Sequence, residues 1–111
     1  MNPRLILRQY WGYDSFRPLQ EEIINSVLDG HDTVGLLPTG GGKSLTFQVP
    51  AMLLDGLTLV VTPLISLMKD QVDNLASVGI SATFFHSGLS RREKELAMTR
   101  CRLGKVRIVY L

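Results

Sequence analysis

The apolar residues of this chain change their spacing several times, and each change marks an element. Asn2 and Pro3 suit a helix cap and first helical position. The helix they open carries Leu5, Ile6 and Tyr10 toward Trp11 and stops at Gly12. Pro18 opens a second helix, with Glu21 and Glu22 in the first turn, where negative charge is favourable. Its apolar face is Leu19, Ile23, Ile24, Val27 and Leu28, and Asp29-Gly30 ends it. Residues 33–37 predict a buried strand, and residues 44–49 a helix. Pro50 has no N–H to donate and predicts a break near Val49, with another turn or two over 51–54. Residues 57–61 are a β-rich run. Leu64, Leu67, Met68, Val72 and Leu75 then recur at spacings of three and four, an amphipathic helix ending at Gly79. A short strand at 82–85 precedes Ser90-Arg91-Arg92-Glu93, a capping box for a helix running to about Leu103 and Gly104. Residues 106–111 predict a last strand.

Strands alternating with helices imply an α/β fold, a parallel sheet with helices on both faces. Nothing in the sequence reads as a linker or repeat, and 111 residues fit one domain. The last strand is expected at an open hydrophobic edge, with the marginal stability or self-association that an unpaired edge brings. A composition of 45% hydrophobic and 20% charged residues is that of an ordinary globular chain, and a formal charge of +2 is too small to argue for nucleic acid. Basic residues do gather late, at Arg91, Arg92, Lys94, Arg100, Arg102, Lys105 and Arg107, where Glu93 and Glu95 interleave as on a solvated helix face. Cys101, the single cysteine, excludes an internal disulfide and a multi-cysteine metal site and reads as a small core residue. No apolar run has the length of a membrane span, and Met1–Leu5 lacks the form of a secretory signal, so the expected compartment is the cytoplasm.

The densest chemistry lies in Leu37-Pro38-Thr39-Gly40-Gly41-Gly42-Lys43-Ser44, between the apolar run 34–37 and a helical segment. Glycines let the main chain approach a ligand closely, and N–H groups at a helix start converge on an anion. Thr39, Gly40, Gly41, Gly42 and Lys43 are thus candidates to hold nucleotide phosphates, and the Ser44 hydroxyl suits Mg²⁺. The strict phosphate-loop pattern has Gly where Leu37 stands, and the Thr-Gly-x-Gly-Lys-Ser form found here is the one helicases use.

Upstream, Gln20 borders the inward face of its helix, so its amide needs hydrogen-bond partners. An adenine edge offers both a donor and an acceptor, and Tyr13 and Arg17 offer planar groups to lie against a base. The simpler alternative is that Arg17 and Gln20 satisfy backbone groups at a helix start. Downstream, Thr62-Pro63-Leu64-Ile65-Ser66-Leu67 joins a strand end to a helix start, exposing N–H groups and a hydroxyl suited to a phosphate backbone, or else making only a capped turn. His86 follows another strand end and reads as a turn histidine. Asp55, Asp70 and Asp73 lie in turns or on helix faces, so the acidic strand-end segment that nucleotide hydrolysis requires is expected outside these residues.

The segments 13–24, 37–44 and 62–72 together resemble RecQ DNA helicases in order and spacing, with Leu19 standing where the family usually has Gly. The resemblance implies a P-loop NTPase of RecA-like fold, incomplete at its C-terminus. Residues 1–111 would be the N-terminal part of the first ATP-binding lobe of a superfamily-two helicase, with the second lobe and later domains absent. It also implies adenine recognition by Tyr13, Arg17 and Gln20, and phosphates on Thr39 through Lys43, with Lys43 catalytic and Mg²⁺ on Ser44. Thr62, Pro63, Leu64 and Ser66 would contact DNA. The implied activity is ATP-dependent 3′-to-5′ unwinding in recombination and repair, with single-stranded and duplex DNA and a second lobe as partners. The alternatives are a nucleotide- or single-strand-binding module without catalysis, and another P-loop enzyme such as a small kinase or GTPase. A base-recognition segment lying before the loop disfavours the latter.

Overall fold

The computed structural model describes residues 2–37 and 42–111. They form two compact units, Met1–Asp55 and Gly56–Leu111, each with its own core.

The first unit is helical. Asn2 caps α1 (Pro3–Ile6) by accepting the Leu5 N–H at 3.0 Å, and the chain widens into a π-helical turn over Leu7–Trp11. Gly12, at φ 74°, takes the left-handed conformation that ends it. Ile6 and Leu7 are the buried pair here, whereas Leu5 is exposed rather than inward. The second helix, α2 (Gln20–Leu28), starts two residues later than Pro18 suggests, because Pro18 and Leu19 form a turn before it. The third, α3 (Leu45–Leu53), runs straight through Pro50 with no interruption. Its buried residues Gln48, Val49, Pro50 and Ala51 sit at that point, so packing offsets the missing hydrogen bond. Ile6, Ile24 and Val49 centre the core, with Trp11, Phe16, Leu28 and Met52 against them.

Residues 33–37 join no ladder, against the expectation of a buried strand. Val34 and Leu36 are 89% and 83% exposed. Among the described residues of this unit there is no strand to pair with, and the segment is held instead to α2. The Thr33 hydroxyl meets that of Ser26 at 2.8 Å, and a Cβ added at Gly35 would come 2.8 Å from the tip of Ile23.

The second unit is a three-stranded parallel sheet, β1 (Thr58–Val60), β2 (Ala82–Phe84) and β3 (Ile108–Tyr110), in the order β1-β3-β2. Ile108 stands opposite both Thr58 and Ala82, and Tyr110 opposite both Val60 and Phe84. The last strand is therefore the middle of the sheet, not the open edge expected of it. All three of its residues are buried, as an uninterrupted apolar run requires when both faces are covered. The exposed edge belongs to β1, where Leu59 is 58% exposed.

Two helices complete this unit, α4 (Ile65–Ser77) and α5 (Arg91–Arg102). In α4 the buried stripe is Met68 and Leu75; Leu64 and Leu67, expected on the same stripe, are exposed. Tyr110 fastens α4 to the sheet by donating its hydroxyl to Gln71 Oε1 at 2.8 Å. The capping box of α5 forms in full. Ser90 Oγ accepts the Glu93 N–H at 3.1 Å, and Glu93 Oε1 accepts the Ser90 N–H at 3.0 Å. Hydrogen bonding to its carboxyl, first from the Ser90 backbone N–H and then from the Ser90 side chain, holds the exposed Glu93 below its ordinary value of 4.5. Ala97 is the buried residue of α5, and Cys101, one turn on, is only partly buried.

Candidate functional site

The first unit brings Arg17, Gln20 and Gly42 together. Gln20 opens α2 and is buried. Its Oε1 accepts the Arg17 N–H at 2.8 Å, and its Nε2 donates to the Gly42 carbonyl at 2.9 Å. One side-chain amide thus joins the turn before α2 to the glycine loop, 22 residues away in sequence. The donor and acceptor that the sequence reading assigned to an adenine edge are supplied here by backbone. An amide has two donor hydrogens and two acceptor lone pairs, so one side chain can hold both backbone groups at once.

Gly42 explains why the loop ends as it does. Its φ is 79°, and a Cβ there would overlap Gln20 Nε2 and lie 3.8 Å from Arg17 Cδ. Only glycine allows both the backbone turn and the close approach of the amide. Lys43 follows in the turn that leads into α3, exposed. The Thr46 hydroxyl and the Thr46 N–H both bond the Lys43 carbonyl, at 2.5 and 3.1 Å, closing that turn. Sequence reasoning passed over Thr46, although a hydroxyl three residues after Lys43 is a recognisable turn-closing signal. Ser44 has helical backbone at the start of α3 and makes no side-chain capping bond. Tyr13 is exposed on the segment that follows Gly12. Thr39, Gly40 and Gly41 lie outside the described residues.

Leu19, next to Gln20, is the single described non-glycine residue with positive φ, at 72°. The left-handed region crowds a Cβ against the following carbonyl at a cost of roughly 1–2 kcal/mol. That geometry gives a physical reason for glycine at this point of the RecQ-like pattern. Leu19 keeps it because the bonds on either side, Gln20 N–H to the Arg17 carbonyl and Ile23 N–H to the Leu19 carbonyl, over-determine the turn.

The second unit carries Thr62, Pro63, Leu64 and Ser66. The Thr62 N–H donates to the Leu111 carbonyl at 3.0 Å, holding the segment at the sheet's end. The Thr62 hydroxyl accepts the Leu64 N–H at 3.3 Å. Leu64 flanks α4 without a side-chain cap, and Pro63, Leu64, Ile65, Ser66 and Leu67 are all exposed. First-turn N–H groups of a helix have no intrahelical acceptor, so Ile65 and Ser66 present donors beside an exposed hydroxyl and exposed apolar side chains. His86 is a turn histidine, as expected. Its Nδ1 accepts the Gly88 N–H at 3.0 Å, and its ring stacks on Phe84 with centroids 5.6 Å apart.

Among the described residues, no helix is long and apolar enough to cross a membrane. The sequence model of the DEAD/DEAH box helicase family matches residues 17–111. The chain is similar to an "ATP-dependent DNA helicase RecQ" of Haemophilus influenzae, 45% identical over 96% of this chain and 17% of that protein. A protein of the same name from Synechocystis is 47% identical over 95% of this chain and 22% of its own length. A "Putative ATP-dependent RNA helicase R290" of Acanthamoeba polyphaga mimivirus is 46% identical over 78% of this chain and 16% of its own length. The chain spans about a fifth of the length of these relatives.

Proposed function

Because this chain belongs to the DEAD/DEAH box helicase family, we propose that it is the ATP-holding and strand-contacting part of a RecQ-type DNA helicase. The parent activity is ATP-driven 3′-to-5′ unwinding of DNA in recombination and repair, in the cytoplasm, with a second lobe closing on the nucleotide. Residues 1–111 are, on this reading, the N-terminal part of its first RecA-like lobe.

The observation that carries the reading is the buried Gln20 amide bonded to the Gly42 carbonyl. A base-recognising side chain tied to the phosphate loop senses both ends of one nucleotide. On this reading Gln20 contacts the adenine edge when nucleotide is bound, and Tyr13 and Arg17 flank the base. The residues present fit the ligand: Gly42 lets the backbone turn closely against the Gln20 amide, and Lys43 stands exposed at a helix start. Lys43 would neutralise charge on the outer phosphates, Thr39, Gly40 and Gly41 are proposed as further phosphate contacts, and the Ser44 hydroxyl would hold Mg²⁺. The bound metal supplies Lewis-acid stabilisation of phosphate charge. Thr62, Pro63, Leu64 and Ser66 grip the DNA backbone with their N–H groups and hydroxyls.

Replacing Gln20 with Ala tests this reading. It removes a buried amide and leaves the Gly42 carbonyl and Arg17 N–H without that partner, a cost of about 1–3 kcal/mol. Competition binding with ATP and GTP should show ATP affinity falling about tenfold or more, with the preference over GTP lost. Equal competition by the two nucleotides before and after the change would remove the adenine role.

A further inference from the structure

The two units differ in charge. Residues 56–111 hold eight Lys and Arg against four Asp and Glu, a formal +4. Residues 1–55 hold four against six, a formal −2, and the two add to the chain's +2. Half of the second unit's cations, Arg100, Arg102, Lys105 and Arg107, fall within eight residues that contain no acid. The other four have acidic neighbours. Lys69 bonds Asp73 at 2.9 Å, which raises its pKa, Arg91 meets Glu95 at 3.3 Å, and Arg92 and Lys94 flank Glu93 in sequence. Arg100 and Arg102 also have a local reason to be basic, since they oppose the negative end of the α5 dipole. Lys105 and Arg107 lie past the helix and have no such reason.

The backbone gathers these cations at one place. The Ser81 carbonyl accepts the Arg107 N–H at 2.9 Å, while the Ser81 hydroxyl accepts from Arg100 Nη2 at 3.0 Å. The Arg100 carbonyl accepts the Lys105 N–H at 3.1 Å. The Arg107 carbonyl accepts the Thr58 N–H at 3.0 Å, so the cluster lies where all three parallel strands begin. Thr62–Ser66 and His86 follow the opposite ends of their strands, a strand length of about 10 Å away. Lys105 and Arg107 are exposed and line a concavity of about 510 Å³ with Leu57 and Cys101.

Paired cations in an open, acid-free concavity match a polyanion. No aromatic residue lies in 99–107 or lines the concavity, so there is no platform on which unpaired bases could stack. Duplex DNA needs none, because it presents one phosphate charge per ~1.7 Å of axis. We propose that the Lys105–Arg107 end of this sheet binds the phosphodiester backbone of double-stranded DNA, as a contact separate from Thr62–Ser66. Lys105 and Arg107 each meet a phosphate, and Arg100, fixed by Ser81, adds a third positive charge beside them. The proposal rests on the reading that the protein acts on DNA and is independent of the ATP site.

The test is fluorescence anisotropy of a labelled DNA hairpin and a labelled single strand, without nucleotide, at roughly 50 to 200 mM NaCl. Wild type is compared with Lys105→Ala/Arg107→Ala and with the charge-retaining Lys105→Arg/Arg107→Lys. For the hairpin, the neutralised variant should bind several-fold more weakly, with a plot of log affinity against log salt shallower by about 1.8, roughly 0.9 for each lost contact. The charge-retaining variant should keep the wild-type slope. An unchanged slope in the neutralised variant overturns the proposal. So does a loss confined to the single strand, or a loss shared by the charge-retaining variant. A wild-type protein that binds neither DNA would instead refute the DNA-acting reading on which the proposal rests.

Discussion

The two units put apolar chain to different uses. In Gly56–Leu111 the apolar run of β3 has a strand on each side, and Ile108, Val109 and Tyr110 are buried together. In Met1–Asp55 a similar run, Val34-Gly35-Leu36-Leu37, has no ladder, and its Val34 and Leu36 face water. Local sequence cannot separate the two, because strand pairing depends on partners that are distant in sequence. The first unit draws its order instead from helices and from one buried amide at the glycine loop. The second is held by a sheet and a tyrosine–glutamine bond.

The sharpest way to break this contrast is to cut into the second core. Ile108→Ala removes a fully buried side chain from the central strand and should cost about 2–5 kcal/mol in a denaturant titration. Leu59→Ala, on the exposed face of the edge strand, should stay within about 0.5 kcal/mol. Equal losses at the two positions would mean that β1 and β3 do not occupy edge and centre.

A smaller effect, of opposite sign, is expected beside the glycine loop. Leu19 is 47% exposed and sits at φ 72°, so Leu19→Gly loses little packing and relieves the left-handed strain. Some of that gain is returned through the greater freedom of the unfolded chain. The net should be about 0.5–1 kcal/mol of added stability, read as a rise of a few degrees in the melting midpoint. A loss of stability would show that Leu19 is held by packing and not by its turn.

The smallest effect concerns pH and belongs to the second unit alone. Hydrogen bonds from the Ser90 backbone and side chain lower the Glu93 pKa. A carboxyl with a lowered folded-state pKa stabilises the fold above its ordinary value and loses that contribution as pH falls through the folded one. Wild type should therefore melt higher than Glu93→Ala at pH 6, with the gap closing as pH falls below about 4.5. A gap that is constant with pH would remove the charged capping box from the account.

What could be read in the sequence was whatever chemistry sits within a few residues of its effect. The Asn2 cap, the Ser90–Glu93 box and the glycine stops at Gly12 and Gly104 all fall where expected, because each is a local hydrogen bond or a local φ. Strand order was not legible. An apolar run signals burial on both faces but does not name its neighbours, so the central β3 read as an open edge. Pro50 misled for the opposite reason, since a local rule gave way to the packing of Gln48 through Ala51. At the candidate site, the need of Gln20 for partners was legible, whereas the Gly42 carbonyl that meets it lies 22 residues on and emerges only in the fold.

The central claim is that the loop joined to Gln20 at Gly42 is the ATP site of a DNA motor. It is tested most directly by single-strand-stimulated ATP hydrolysis in the full-length protein with Lys43→Ala. Lys43 is exposed, so the change should leave the melting midpoint in place, while kcat falls by about 10²-fold or more as charge stabilisation on the outer phosphates is lost. Hydrolysis retained at the wild-type rate would contradict the assignment of this loop as the ATP site.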